Sequence, residues 1–394
     1  MTVWDDLVGQ RSAVVALSSA ASAAARVIAG AAGVGMTHAW LLTGPPGSGR
    51  SNAARAFAAA LQCEEHGCGE CDACRTVLAG THADVQAVST ETLSIGVVQS
   101  RELVRRSALA PAGRRWQVII LEDADRLTEQ AANALLKAVE EPAPRTVWLL
   151  CAPSSEDVLP TVRSRCREVR LVTPSAAAVA EVLVRRDGVD PQVAQTVAAA
   201  AQGHIGRARW LALDDSAQQR RAEVLRIPPS LRDIGSCIAA AAHLVDTAAA
   251  EAKDAAAELD ANETEGLRAA LGAGPAGRVP AGSAAALKEL EERQKRRAKR
   301  IQRDALDRAL VDLAAFYRDV LAVQVGADVD IVNESVRPDI EAIAAASTRE
   351  ETLRRMEAVL ACREALDANA HPVLAAEAMM LALAPREVSA RYAR

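Results

Sequence analysis

An α/β fold with a parallel sheet covered by helices, continued by helical regions, is what this sequence predicts, and three observations predict it. Short apolar runs alternate with helix-like segments between Gly9 and about Cys166, as they do when strands are joined by crossover helices. A glycine-rich loop, Gly44-Pro45-Pro46-Gly47-Ser48-Gly49-Arg50-Ser51, follows one such run and opens a helix. From about Ser216 onward nothing resembles a strand.

The 394 residues suit two or three domains at about 150 residues each. Half are hydrophobic and a quarter charged, which excludes a mainly disordered chain. The formal net charge of −5 excludes blanket attraction to nucleic acid, so any such contact needs a local patch or a partner. No stretch reaches about 18 uninterrupted apolar residues, and Met1 to Asp6 lacks the features of a signal peptide; a cytoplasmic protein with no membrane partner is expected. Only five of the 46 basic residues are lysine, so an arginine in a lysine's usual place carries less weight here.

Taken in order, the expected strands are His38–Leu42, Ala83–Val88, Gln117–Leu121 and Thr146–Leu150, with a helix over Asn52–Leu61. Ser175 to about Asp215 reads as a small helical region, broken by turn signals at Asp187–Asp190 and Gln202–His204. In the helical remainder, Gly272–Gly277 marks a flexible interruption reaching about residue 283. Lys288–Arg308 holds nine basic and five acidic residues on a strong helix-forming background. A solvated face laced with i,i+4 ion pairs is the plainer reading, a nucleic-acid or partner patch the other. Leu306, Leu310, Leu313 and Tyr317 follow at helical spacing and suit a core.

The loop from Gly44 to Ser51 has the spacing of a phosphate-binding P-loop. Gly44, Gly47 and Gly49 would let backbone N–H groups turn toward phosphates, with the Ser51 hydroxyl on magnesium. Arg50 stands where lysine is usual, and its planar guanidinium arranges donors differently, so weakened or absent hydrolysis is expected. A glycine-rich turn holding no nucleotide is the alternative, which leaves ATP and magnesium doubtful cofactors. After Val118-Ile119-Ile120-Leu121 come Glu122 and Asp123, the reverse of the usual Asp-Glu order. Exchanging the two side-chain lengths would misplace each carboxylate by about 1 Å, enough to cost about 100-fold in rate.

Cys63, Cys68, Cys71 and Cys74 supply four thiolates at zinc-loop spacing, and a filled four-ligand sphere is structural rather than catalytic. His66 lies inside the first gap and could replace a cysteine, or be a loop residue. Ser164-Arg165-Cys166 follows an apolar strand and an extended loop. Beside a P-loop, Arg165 could reach a neighbour's nucleotide; otherwise it makes a surface ion pair.

These pieces in this order, with Asn133–Pro142 between the acidic turn and Ser164-Arg165-Cys166, resemble the bacterial clamp-loader subunits of the AAA+ superfamily over most of Met1 to Asp215. Trp4–Gln10 looks like that family's N-terminal box near the adenine, and a zinc module straight after the P-loop helix is nearly specific to it, although the family's first cysteine gap is usually longer. The resemblance implies a RecA-like AAA+ domain over residues 1–172 with its zinc module at 63–74, a helical lid at 173–215 and an all-α collar at 216–394. Motor subunits of the family keep the P-loop lysine, Asp-Glu, a polar first sensor and a second-sensor arginine. Here Ala152 and Gly206 occupy the two sensor positions, with Arg207 one residue away. Four losses with Arg165 retained look like the stator type of the DNA polymerase III clamp loader. Implied partners are gamma/tau and delta subunits in a heteropentamer, and through it the sliding clamp and primer-template DNA. A working gamma/tau-type ATPase, or a zinc-containing DNA-binding module with a vestigial P-loop, are the alternatives.

Overall fold

A computed structural model of the chain describes residues 2–89, 94–113, 115–271 and 284–385. The polypeptide forms two compact units, Met1–Leu213 and Asp214–Arg394. No helix among the described residues is long and apolar enough to cross a membrane.

Unit 1 runs α1 (Arg11–Ile28), β1 (Ala39–Thr43), α2 (Arg50–Gln62), α3 (Asp72–Leu78), β2 (Val85–Val88), α4 (Val97–Ser107), β3 (Gln117–Leu121), α5 (Glu129–Glu140), β4 (Thr146–Ala152), α6 (Pro160–Arg163) and β5 (Arg167–Arg170), then α7 (Ala176–Asp187), α8 (Pro191–Ala201) and α9 (Ile205–Leu213). The five strands are parallel, in the order β2-β3-β4-β1-β5. β1, β3 and β4 are buried along their whole length, which is why they read as unbroken apolar runs. Successive side chains feed opposite cores, as pleating requires. Trp40, Leu42, Ile120 and Leu149 pack with α1 and α2, whereas Leu41, Ile119, Trp148 and Leu150 pack with residues of α4 and α5.

Several expectations need adjustment: β1 covers Ala39–Thr43 rather than His38–Leu42, β4 runs on to Ala152, and α2 spans Arg50–Gln62. The second strand starts at Val85, not Ala83. Ser164-Arg165-Cys166 does not follow an extended loop, because the one-turn helix α6 precedes it with Pro160 pre-setting its first φ angle. A fifth strand, β5, follows directly and pairs with β1 from Trp40↔Arg167 to Thr43↔Arg170. The interruption expected at 272–283 lies outside the described residues.

Unit 2 is entirely helical among the described residues: α10 (Asp215–Leu225), α11 (Ile227–Ser230), α12 (Ile234–Ala270), α13 (Ala284–Val325), α14 (Arg337–Ala346), α15 (Arg349–Asp367) and α16 (Pro372–Leu383). Leu306, Leu310, Leu313 and Tyr317 lie in its core as their spacing predicts. The core also holds a polar network. Asp319, fully buried, accepts from the Asn333 backbone N–H (2.8 Å), its side-chain amide (2.9 Å) and Arg318 (2.8 Å). Arg221 of α10 reaches both Asp312 (3.1 Å) and the Asn333 amide oxygen. Asp319→Ala would leave both donors of buried Asn333 unpaired, and unit 2 should lose about 2–5 kcal/mol. Urea unfolding of the variant against wild type measures the loss, and a change within about 0.5 kcal/mol would show that the network carries no such weight.

Candidate functional site

In strand order β4 lies between β3 and β1. Its last residues pair with theirs, Leu150 with Leu121 and Ala152 with Thr43, so the loop after β1 and the acidic turn after β3 flank the end of β4. That edge, outside the carboxyl ends of parallel strands, is where open α/β sheets bind ligands.

The loop has the backbone of a phosphate cradle. Gly44, Gly47 and Gly49 have φ of +154°, +86° and +90°, a region glycine enters freely, and α2 starts at Arg50 so that its N-terminal N–H groups face the loop. Space is also short at Gly47. A Cβ there would lie 2.6 Å from Cα, Cβ and Cγ of His204, at the head of α9. His204 Nδ1 accepts the Arg207 N–H (3.1 Å), so the same side chain caps α9 and covers the loop.

The Arg50 guanidinium donates to the Gly44 carbonyl at 2.6 Å, closing back on its own loop. Glu122 pairs with Arg55 of α2 at 2.7 Å. Burial pushes the Cys151 thiol up to about 12; Glu122 and Asp123 push it the same way, while Arg50 and Arg55 oppose them. These charged groups therefore surround the end of β4. The Ser48 hydroxyl is buried and has no hydrogen-bond partner among the described residues. Ala152 is buried at the centre of this arrangement and offers only a methyl group.

Sequence reasoning missed Gln10 as a tie. Its amide donates to the carbonyls of Ser48 (3.1 Å) and Val172 (2.6 Å) and accepts the Val172 N–H (3.0 Å). His204 and Arg55 were missed as well. The signal for His204 was available in Gly203-His204-Ile205-Gly206, whereas a tertiary ion pair such as Arg55–Glu122 leaves none.

Arg165 makes a surface ion pair. Its guanidinium folds onto Glu140 at the end of α5 (3.2 Å) and donates to the Thr161 carbonyl (2.8 Å). The pair is open to water, with side chains 33% and 54% exposed.

The four cysteines converge, their sulfurs all within 4.8 Å of one another. Cys63 caps the end of α2 and Cys71 the start of α3. Two sulfur pairs lie 3.6 and 3.7 Å apart, close to the roughly 3.8 Å edge of a tetrahedron with 2.3 Å metal–sulfur bonds. The N–H groups of Cys71 and Cys74 donate to the sulfurs of Cys68 and Cys71 at 3.4 Å. Burial opposes ionisation of Cys63, but backbone N–H groups of Cys68, Gly67 and Glu65 outweigh it and bring the thiol down to about 7. Burial pushes Cys74 the other way. A bound cation would resolve that conflict, so this donor set can hold a metal ion. His66 is exposed with φ +59° and stands outside the sulfur group.

Comparison with known proteins agrees with this geometry. Residues 24–175 match the family model described as DNA polymerase III, delta subunit. The DNA polymerase III subunit delta' of Pseudomonas aeruginosa is 42% identical over 155 residues, 38% of this chain and 47% of that protein. That of Bacillus subtilis is 29% identical over 195 residues, 49% and 59% of the two chains. A DNA polymerase III subunit gamma/tau of Mycobacterium tuberculosis is 31% identical over 207 residues, 45% and 36% of the two. Among solved structures, a DNA polymerase III gamma subunit-related protein of Thermotoga maritima aligns with 88% of this chain and 99% of its own at 15% identity and a TM-score of 0.34. The strand order and the loop after β1 make unit 1 a parallel α/β domain with a glycine-rich, phosphate-binding type of loop. Residues 24–175 are thus similar to DNA polymerase III delta-prime and gamma/tau subunits. The chain spans about half the length of the curated relatives it matches.

Proposed function

We propose that the chain is a delta-prime-type clamp-loader subunit, a stator that supports ATP-dependent loading of a sliding clamp on primed DNA in replication while hydrolysing little or no ATP itself. The observation that carries this reading is the end of β4, where Ala152 stands between a glycine-rich loop and an acidic turn. A methyl group cannot orient water or a γ-phosphate. Arg50 closing on Gly44 and Glu122 held by Arg55 weaken the same machinery. In this reading α7–α9 form the lid, unit 2 the collar, and Arg165 is offered to the ATP of an adjoining gamma/tau motor. The cysteine cluster holds a structural zinc beside α2, and the protein works in the cytoplasm with gamma/tau and delta in a heteropentamer.

ATP hydrolysis by the purified chain should be indistinguishable from a protein-free blank, and Ser51→Ala should leave it there. Multiple-turnover hydrolysis abolished by Ser51→Ala would overturn the stator reading in favour of a gamma/tau-type motor, the alternative supported by 31% identity to such a subunit. Mixing the chain with gamma/tau and delta should yield a complex that loads the clamp, and failure of the complex to form would reject the assignment.

A further inference from the structure

Helices α12 and α13 run well past the core of unit 2. Ala248 and Ala305 are the outermost members of that core on the two helices. Beyond them α12 continues to Ala270 and α13 begins at Ala284, so each helix extends about 30 Å at 1.5 Å per residue. The seam between these extensions is narrow and partly polar. Ala252, Ala256 and Leu290 are buried in it. Gln294 donates to the Asp260 carbonyl (3.0 Å), and Arg297 pairs with Asp260 (2.6 Å) and Glu263. The basic segment thus pairs both along α13, as expected, with Lys295–Glu291 (2.8 Å) and Arg300–Asp304 (3.8 Å), and between helices.

Outward from this seam the charge is one-sided. Residues 293–303 carry seven basic side chains and no carboxylate. Arg297 faces the seam, Lys295 pairs with Glu291, Arg300 with Asp304 and Arg303 with Asp367. Arg293, Arg296 and Lys299 are exposed and within ion-pair distance of no carboxylate among the described residues, though Arg293 lies near enough to Glu263 to help hold its carboxyl below the usual range. Spaced three apart, they form a ridge rising about 4.5 Å per step. Every exposed residue from Lys288 to Arg303 is charged, and the carboxylates among them, Glu289, Glu291 and Glu292, all precede the ridge.

We infer that this ridge binds the phosphodiester backbone of DNA, independently of base sequence. A protein partner needs a buried apolar or aromatic anchor, and this face exposes none. A membrane surface needs an apolar side to insert, which is equally missing. A phosphate backbone needs only cations at intervals along a line. The acidic side chains of α12, among them the exposed Glu258 and Glu265, repel the same polyanion and confine it to the α13 side. The choice of DNA over other phosphate polymers rests on the clamp-loader reading; the ridge itself does not.

The test is fluorescence anisotropy of a labelled primed DNA titrated with the 394-residue chain between about 50 and 200 mM salt, with no other subunit present. Wild type should bind with a steep salt dependence. R293E/R296E/K299E and the milder R293Q/R296Q/K299Q should each weaken binding at least about tenfold. The glutamine variant should also lower the slope of log affinity against log salt by about 2.7, at 0.9 per phosphate contact. Circular dichroism checks that both variants keep their helices. Unchanged affinity and slope in the helical glutamine variant would overturn the inference. So would wild type that does not bind DNA at 50 mM salt, or polyglutamate or anionic vesicles competing as well as DNA. Failure of the chain to assemble with gamma/tau, alongside ridge-dependent DNA binding, would reject the clamp-loader reading and leave the ridge standing.

Discussion

Replacing Arg165 with alanine is expected to lower ATP turnover at the adjoining motor site of a reconstituted assembly by roughly 10³- to 10⁵-fold, the usual contribution of an arginine finger. Total turnover should fall less, because the other motor sites continue. The contact with Glu140 does not argue against this role once the magnitudes are compared. An ion pair as exposed as Arg165–Glu140 is worth at most about 1 kcal/mol. Stabilising a transferring phosphoryl group by 10³ to 10⁵ is worth about 4–7 kcal/mol. Releasing Glu140 is therefore a small toll on reaching a neighbour's nucleotide. The variant should remain folded and incorporated, since no buried side chain is removed and no cavity forms. Glu140→Gln separates the two roles of the guanidinium: it should leave ATP turnover at or above wild type. Equal turnover with wild-type and Arg165→Ala subunits, at equal incorporation, would reject the finger.

Loss of zinc is expected to be the most damaging change to unit 1 itself. Purified protein should contain a single zinc per chain, and Cys74→Ser should reduce that to near zero and lower the melting temperature. Structural zinc sites in small peptides contribute about 10–16 kcal/mol of apparent binding free energy at neutral pH. Part of that holds Cys74, buried on α3, near the Cys63 sulfur at the end of α2. Without the cation, an acidic thiol and a buried one share the same small space. The disturbance should also reach the segment before β3, because Arg115 donates from there to the carbonyls of Leu61 (3.1 Å) and Cys63 (3.0 Å), at the start of the cysteine loop. Dialysis against a strong chelator should reproduce the effect in unaltered protein. Protein purified without chelator that holds well under a stoichiometric amount of zinc, and melts unchanged after dialysis, would reject the assignment.

How much of this could be read from the residues follows from burial. β1, β3 and β4 are covered on both faces, so their sequences are unbroken apolar runs and stand out. β5 is an edge strand in which only Val169 is buried, and Arg167-Glu168-Val169-Arg170 has the composition of a surface loop. The cysteine cluster is local in sequence, so its spacing alone announces it. The closure of Arg50 on Gly44, the Arg55–Glu122 pair and the fold of Arg165 onto Glu140 depend on side-chain geometry, which periodicity does not encode. The basic segment was legible as charge, but its division into an inward Arg297 and an outward ridge needed the position of α12.

Gln10 gives helices α7–α9 a mechanical tie to the glycine loop. One amide holds the loop carbonyl of Ser48 and both backbone groups of Val172, the stretch that leads from β5 into α7. Such a strut is expected to carry displacement: a shift of the helices beyond Val172 should pull on the glycine loop with the strands between them unchanged. Gln10→Ala would cut that load path, leaving two segments that still fold but no longer move as one.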